Sequence, residues 1–191
     1  VYRLNNLSPL SWQSLNGVAT TPNVTALNTN QFVGIAIHPT NSNLALGGTQ
    51  DNGTQRFNDS VGWSTVDGGD GGEVVYDPFN PNTLYRISPV GSFGTSAFVR
   101  RSTNGGVSWS NITSGIVNPN SAQFYPPLIV DPSTQNRVLM GTNVVNVTTN
   151  SGTSWSQLGA APPSTSSIRS LGIGPASSST LYVGSNSSNV F

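Results

Sequence analysis

The chain has 191 residues, enough for one ordinary domain around a single core. Only 7% of them are charged: seven arginines balance seven carboxylates, there is no lysine, and the formal net charge is +0. That balance offers no surface for nucleic-acid phosphates or for a polybasic membrane contact, and the absence of cysteine excludes disulfides, thiolate zinc sites and a thiol nucleophile.

In chain order, Val1 to Leu4 and Ser11 to Leu15 read as two short strands, the second carrying Trp12. An apolar strand ending in Pro then follows, Gly34 to Pro39, with a polar turn and a second strand over Asn43 to Gly47. The same pair recurs as Val74 to Pro78 with Thr83 to Ile87, as Leu128 to Pro132 with Arg137 to Gly141, and as Leu171 to Pro175 with Thr180 to Gly184. A third strand and a tryptophan strand follow each of the first three pairs, at Trp63, Trp109 and Trp155. The tryptophans, counted from Trp12, fall at intervals of 51, 46 and 46 residues.

Four short strands in 40 to 50 residues are the length of one propeller blade, and helical periodicity is nowhere sustained. The expected fold is therefore all-β, a β-propeller of four-stranded antiparallel blades, with a sandwich as the alternative. Residues 1–16 are expected to form a half blade, 31–70, 71–116 and 122–160 blades, and 168–191 a second half blade. Paired end halves, with Phe191 beside Val1, would close a four-blade ring; unpaired, they would make the chain about half of a seven- or eight-bladed one. A chain that begins at Val1 is expected to be a mature form or a piece of something longer. Self-association through chain ends or sheet edges is the matching expectation.

The hairpins before two tryptophans share a pattern. Ser102-Thr103-Asn104-Gly105-Gly106-Val107-Ser108-Trp109 and Thr148-Thr149-Asn150-Ser151-Gly152-Thr153-Ser154-Trp155 fit S/T-x-D-x-G-x-x-W with Asn in the Asp place. This pattern resembles the Asp-box, the bacterial-neuraminidase-type repeat of sialidases, xyloglucanase-type hydrolases and sortilin-type propellers. Within it, Asn104 and Asn150 can bond turn N–H groups, Gly106 and Gly152 allow an unusual φ, and Trp109 and Trp155 pack on the blade, beside Ser102 and Thr148. Gly47-Gly48-Thr49-Gln50-Asp51-Asn52-Gly53, together with Gly68-Gly69-Asp70-Gly71-Gly72, resembles a motif pair of secreted propeller proteins related to the sortilin and xyloglucanase groups.

Chemistry is concentrated around Asp51, Asp67, Asp70, Glu73 and Asp77. Asp67, Asp70 and Glu73, spaced by three in a glycine-rich loop, could surround calcium, the one cofactor considered. Asp51 and Asp70 are the best acid–base pair for a glycoside hydrolase, the resemblance being to the xyloglucanase type. Sialidase activity is disfavoured, because the arginines match no carboxylate clamp, and Arg100-Arg101 reads instead as an alternating strand pair. His38, the single histidine, reads as a structural residue beside Pro39. Phe79, Phe93, Phe124 and Tyr125 are aromatic loop candidates for stacking on a sugar or a protein.

The neutral, lysine-free surface rich in Asn, Ser, Thr and Gly, with no apolar run near the roughly 18 residues of a membrane span, points to a secreted or cell-surface protein. Sequons at Asn6, Asn23, Asn52, Asn58, Asn111, Asn146 and Asn186 make glycosylation a further expectation. The functional expectation is a non-catalytic module that binds a glycan or an extracellular protein, or serves in structural assembly.

Overall fold

The computed structural model describes residues 2–7, 9–14, 30–58, 62–90, 98–162, 166–174 and 177–186. It divides into two units, Val1–Gln31 and Phe32–Phe191. The first holds one antiparallel hairpin, β1 (Tyr2–Leu7) and β2 (Leu10–Ser14), with Leu4 opposite Trp12. Val1 and Phe191, whose proximity would close a ring of four, lie outside the described residues.

The second unit contains three four-stranded antiparallel meanders and a final hairpin. The first sheet is β3 (Phe32–Ile37), β4 (Leu44–Thr49), β5 (Gly53–Asn58) and β6 (Trp63–Asp67). The second is β7 (Val74–Tyr76), β8 (Leu84–Ile87), β9 (Val99–Ser102) and β10 (Ser110–Asn111). The third is β11 (Leu128–Val130), β12 (Val138–Gly141), β13 (Val145–Thr148) and β14 (Ser156–Gln157). β15 (Ile168–Gly174) and β16 (Ser177–Ser185) make the hairpin. The first strands β3, β7, β11 and β15 are neighbours in that order, so each sheet packs face to face on the next. This is the fan of a β-propeller, and each sheet is a blade.

Three apolar clusters fill the spaces between blades. Leu46, Ala36 and Val66 meet Val74, Leu84 and Trp109; Tyr85, Ile87 and Val99 meet Leu128, Val138 and Met140; Leu139, Val145 and Val147 meet Ile168 and Val183. Side chains paired across antiparallel strands stand on one face, so each blade offers one apolar face forward and one back.

The first-strand turns repeat in detail. Asp77 and Asp131 each donate a backbone N–H across the turn and accept two turn N–H groups on a carboxylate oxygen, Phe79 and Asn80 on Asp77, Ser133 and Thr134 on Asp131. His38 stands in the same place before its proline, and its Nδ1 accepts the Thr40 N–H at 3.3 Å, which is the structural role expected of it. Arg137 adds an ion pair to Asp131 at 2.7 Å. Burial raises the cost of charge on Asp131, but the hydrogen bonds from Ser133 and Arg137, with the Arg137 charge, hold its carboxyl below the usual carboxylate range.

The two S/T-x-N-x-G-x-x-W hairpins have one hydrogen-bond scheme. Asn104 Oδ1 accepts from the Ser102 hydroxyl and the Ser108 N–H, while Ser102 Oγ accepts the Gly106 N–H, each at 2.9 Å. Thr148, Asn150, Gly152 and Ser154 repeat these bonds at 2.8 to 3.0 Å. Gly106 and Gly152 take φ of 87° and 89°, a region that a side chain would strain. Trp109 Nε1 donates to Val66 O and Trp155 Nε1 to Ile112 O, so each indole is tied to the preceding blade. Trp63 instead packs on Phe32 and Phe57 of its own blade.

Trp155 is 5% exposed, and Trp155→Ala is expected to cost about 3 to 5 kcal/mol in urea unfolding, with a smaller loss for the half-buried Trp109→Ala. The lowered Asp131 carboxyl contributes stability that is present above its unfolded value of about 3.9 and lost as pH falls through the folded one. Asp131→Asn should therefore lower the melting temperature at neutral pH, and the gap from the parent should close in melts at about pH 2.

Candidate functional site

Glycine lets two loops of the first blade lie against each other. A Cβ on Gly48 would fall 1.9 Å from Gly72 O, and one on Gly71 would fall 2.5 Å from Gly53 O, so the backbones touch where no side chain fits. Gly71 N–H donates to Thr49 O at 2.9 Å, and Gly72 N–H reaches across to Ile87 O at 2.8 Å. The two glycine-rich motifs thus form a single unit, joining the β4–β5 turn to the β6–β7 connection.

That contact brings Asp51 and Asp70 together. Asp51 sits at φ 65°, and its backbone N–H donates to Asp70 Oδ1 at 3.0 Å. Tyr125 joins them from the connection between β10 and β11, its ring packed so closely on Gly72 that a Cβ there would fall 2.6 Å from Cδ1. Burial pushes the Tyr125 hydroxyl up, and the charges of Asp70 and then Asp51 push it the same way. The Tyr125 hydroxyl oxygen is buried and has no hydrogen-bond partner among the described residues. Phe124 stands edge-on to Tyr125, with ring centroids 4.9 Å apart, and is 57% exposed. The site therefore offers two carboxylates, a phenol and an exposed aromatic ring.

The grouping with Tyr125 escaped the sequence reading, although a signal existed. Tyr125 lies three residues before Leu128, as Gly71 lies three before Val74, so both precede the first strand of a blade. Connections at equivalent positions in adjacent blades are neighbours in space.

The expected calcium group is not assembled. Asp67 is turned to two guanidinium groups, Arg86 Nε at 2.6 Å and Arg100 Nη1 at 2.6 Å, and its charge is neutralised there. Among the described residues no group of three or more His, Cys, Asp or Glu could hold a metal ion, so Asp67, Asp70 and Glu73 do not converge. Glu73 lies beside Gly34, and burial pushes its carboxyl up. Arg86, fully buried within β8, is what demands Asp67: burial lowers the Arg86 guanidinium, the charge and hydrogen bond of Asp67 restore it in part, and the neighbouring Arg100 charge works against that recovery.

Arg100 and Arg101 diverge as alternating strand residues do. Arg100 reaches back to Asp67, whereas Arg101 reaches forward to Ser151 O at 2.6 Å. Arg56 makes the corresponding forward bond to Gly105 O, beside an open cleft of about 310 Å3 lined by His38, Tyr76 and Asn82. Phe79 is exposed, and Phe93 lies outside the described residues.

One sequon is corrected. Asn146 is fully buried, its amide donating to Thr142 Oγ1 and its Oδ1 accepting the Val117 N–H at 2.7 Å, so the folded chain cannot present it to a glycosyl donor. Asn52, Asn111 and Asn186 are exposed. Asn23 and the side chains of Asn6 and Asn58 lie outside the described residues.

No protein-family model matches the chain, and no curated protein does. Solved structures do match. An ancestral GH74 enzyme is 24% identical over 91% of this chain and 23% of its own, with a TM-score of 0.66. The GH74 xyloglucanase from Xanthomonas campestris is 18% identical over 82% of this chain and 27% of its own, with a TM-score of 0.61. YCF48 from Cyanidioschyzon merolae is 17% identical over 85% of this chain and 52% of its own, at 0.56, and a YCF48 bound to D1 peptide is 16% identical over 84% and 50%, at 0.54. The chain thus spans about a quarter of the GH74 enzymes and half of the YCF48 chains, and what it shares with them is the β-propeller fold.

Proposed function

We propose that this chain is a non-catalytic propeller module, exported and working at a cell surface or in an extracellular assembly, that recognises a glycan or an extracellular protein. The two S/T-x-N-x-G-x-x-W hairpins are Asp-box repeats in this reading, with a role confined to the blade. The observation that carries it is how the carboxylates are used. Asp67 and Asp131 hold arginines, Asp77 caps a turn, and Asp70 braces the backbone of Asp51. What the site leaves open is an exposed aromatic edge at Phe124 beside Tyr125, a surface for stacking or for a partner side chain. The solved complex of YCF48 with D1 peptide supports a propeller of this kind as a peptide-binding scaffold.

The second reading is a glycoside hydrolase of the xyloglucanase type, favoured by the adjacency of Asp51 and Asp70 and by the likeness to GH74 enzymes. A pair of carboxylates flanking a glycosidic bond is the minimum that such chemistry needs. The discriminating experiment compares the parent with an Asp51→Asn, Asp70→Asn double variant on xyloglucan and other polysaccharides. Asn keeps an acceptor for the Asp51 N–H, so the variant should fold. No turnover by the parent is the expected result; turnover that the folded variant has lost would overturn the binding-only reading.

Export carries its own expected outcome. Secretion from a glycosylating host should place glycans on one or more of Asn52, Asn111 and Asn186 and none on Asn146, read by peptide mass mapping.

A further inference from the structure

The three four-stranded blades share one frame at the turn between their first two strands. His38, Asp77 and Asp131 occupy the same place in it, each donating its backbone N–H across the turn, to Leu44 O, Thr83 O and Arg137 O. Two residues beyond those acceptors stand Leu46, Tyr85 and Leu139, whose partners on the third strand are Arg56, Arg101 and Val147. These positions set the charge at one end of each blade.

In the second and third blades the charges at these positions balance. Asp131 is ion-paired with Arg137 at 2.7 Å. Burial, the largest effect on the Tyr85 hydroxyl, raises it, and the charges of Asp77 and Arg101 that act on the same group oppose each other. The first blade has Arg56 and no acid at these positions, because histidine stands in the aspartate's place and leucine in that of Arg137. Among the described residues Arg56 makes no ion pair; its Nη1 donates to Gly105 O at 3.0 Å, and its Nη2 has no partner. Its charge falls instead on the Tyr76 hydroxyl, which burial raises and Arg56 lowers.

The unbalanced cation lines a cleft between the two blades. About 310 Å3 lie open among His38, Leu44 and Arg56 of the first and Tyr76, Pro81 and Asn82 of the second. That volume is at the lower end of small-ligand sites, which run from about 300 to 1,000 Å3, and it suits a single ring. His38 Nδ1 accepts the Thr40 N–H, so Nε2 carries the proton of the neutral imidazole and is a donor. Neither this Nε2 nor the Tyr76 hydroxyl nor the Asn82 side-chain amide has a hydrogen-bond partner among the described residues. One cation is therefore accompanied by three uncommitted polar groups, with Leu44 and Pro81 as apolar wall.

We propose that this cleft binds a uronate, a single sugar ring bearing a carboxylate, with Arg56 taking the carboxylate and His38, Tyr76 and Asn82 the hydroxyls. One guanidinium neutralises one negative charge, and its planar fork matches a carboxylate. A phosphate ester, at about −1.5 to −2 near neutral pH, would keep charge that nothing in the cleft pairs. The cleft lies at the opposite end of β4 from Asp51 and shares no residue with the surface at Phe124 and Tyr125, so its ligand does not depend on the reading of that surface.

The test is titration calorimetry of the 191-residue chain with D-galacturonate and D-glucuronate, against galactose, glucose and galactose 6-sulfate. One of the uronates should bind at least about ten times more tightly than its neutral counterpart, and more tightly than the sulfate ester. His38→Asp installs the residue that the other two blades carry in this place, so the variant should melt no lower than the parent while binding the uronate at least about ten times more weakly. Arg56→Gln, which retains a donor for Gly105 O, should lose the preference for the acid over the neutral sugar. Trigalacturonate separates the two sources of such a ligand: tighter binding than the monosaccharide locates the ring in a polysaccharide, and equal binding assigns the free acid. No binding of either uronate, equal binding of the neutral sugar, tighter binding of the sulfate ester, or a folded His38→Asp chain that binds as the parent does would each overturn the proposal.

Discussion

A thin antiparallel sheet with apolar side chains on both faces can keep them from water only if another sheet lies on each side. Leu46, Tyr85 and Leu139 are buried on one face of their blades while Val74, Leu128 and Val183 are buried on the other. Burying a side chain of this size contributes about 1.5 to 3 kcal/mol, so the contact between blades, rather than the sheet within a blade, carries most of the apolar stabilisation. The polar ties follow the same axis. Trp109, Trp155, Arg56 and Arg101 all bond to a backbone carbonyl of the adjoining blade, and Arg86 and Arg100 close on Asp67 across the same boundary.

That dependence on neighbours explains which features were legible in the amino-acid sequence. Strand–Pro–turn–strand units such as Leu128 to Gly141 are local, and their alternation and turn chemistry announce a blade wherever they occur. The propeller fold follows from their repetition. Features that depend on the distance between blades could not be read. The spacing of Asp67, Asp70 and Glu73 looks like a ligand set on paper, but Asp67 answers a buried arginine from the next blade. The sequon at Asn146 is equally convincing as a string, and only the buried Thr142 and the half-buried Val117 around it show that its amide is already engaged.

The candidate site lies between these extremes. Two glycine-rich motifs were visible, and so were their aspartates, but not the reason for the glycines. They permit one loop to lie directly on another, and the site is a by-product of that approach, with Asp51 held in a left-handed conformation and Asp70 held against it. Tyr125 then enters from the following blade. A surface assembled from several connections can vary one loop at a time while the sheets below stay unchanged, which is how propellers support many binding roles on one frame.

The hairpins with asparagine at the turn have a chemical consequence of their own. Asn104 Nδ2 donates to the Ser108 hydroxyl, and Asn150 Nδ2 donates to that of Ser154, both at 2.9 Å. A hydroxyl can rotate from accepting to donating, so an aspartate in either place would receive from the serine the bond that the amide now gives. The serine acts as an adaptor that leaves the turn indifferent to charge. Position 104 or 150 can thus alternate between amide and carboxylate without remaking the hairpin, altering only the electrostatic potential along that rim of the molecule.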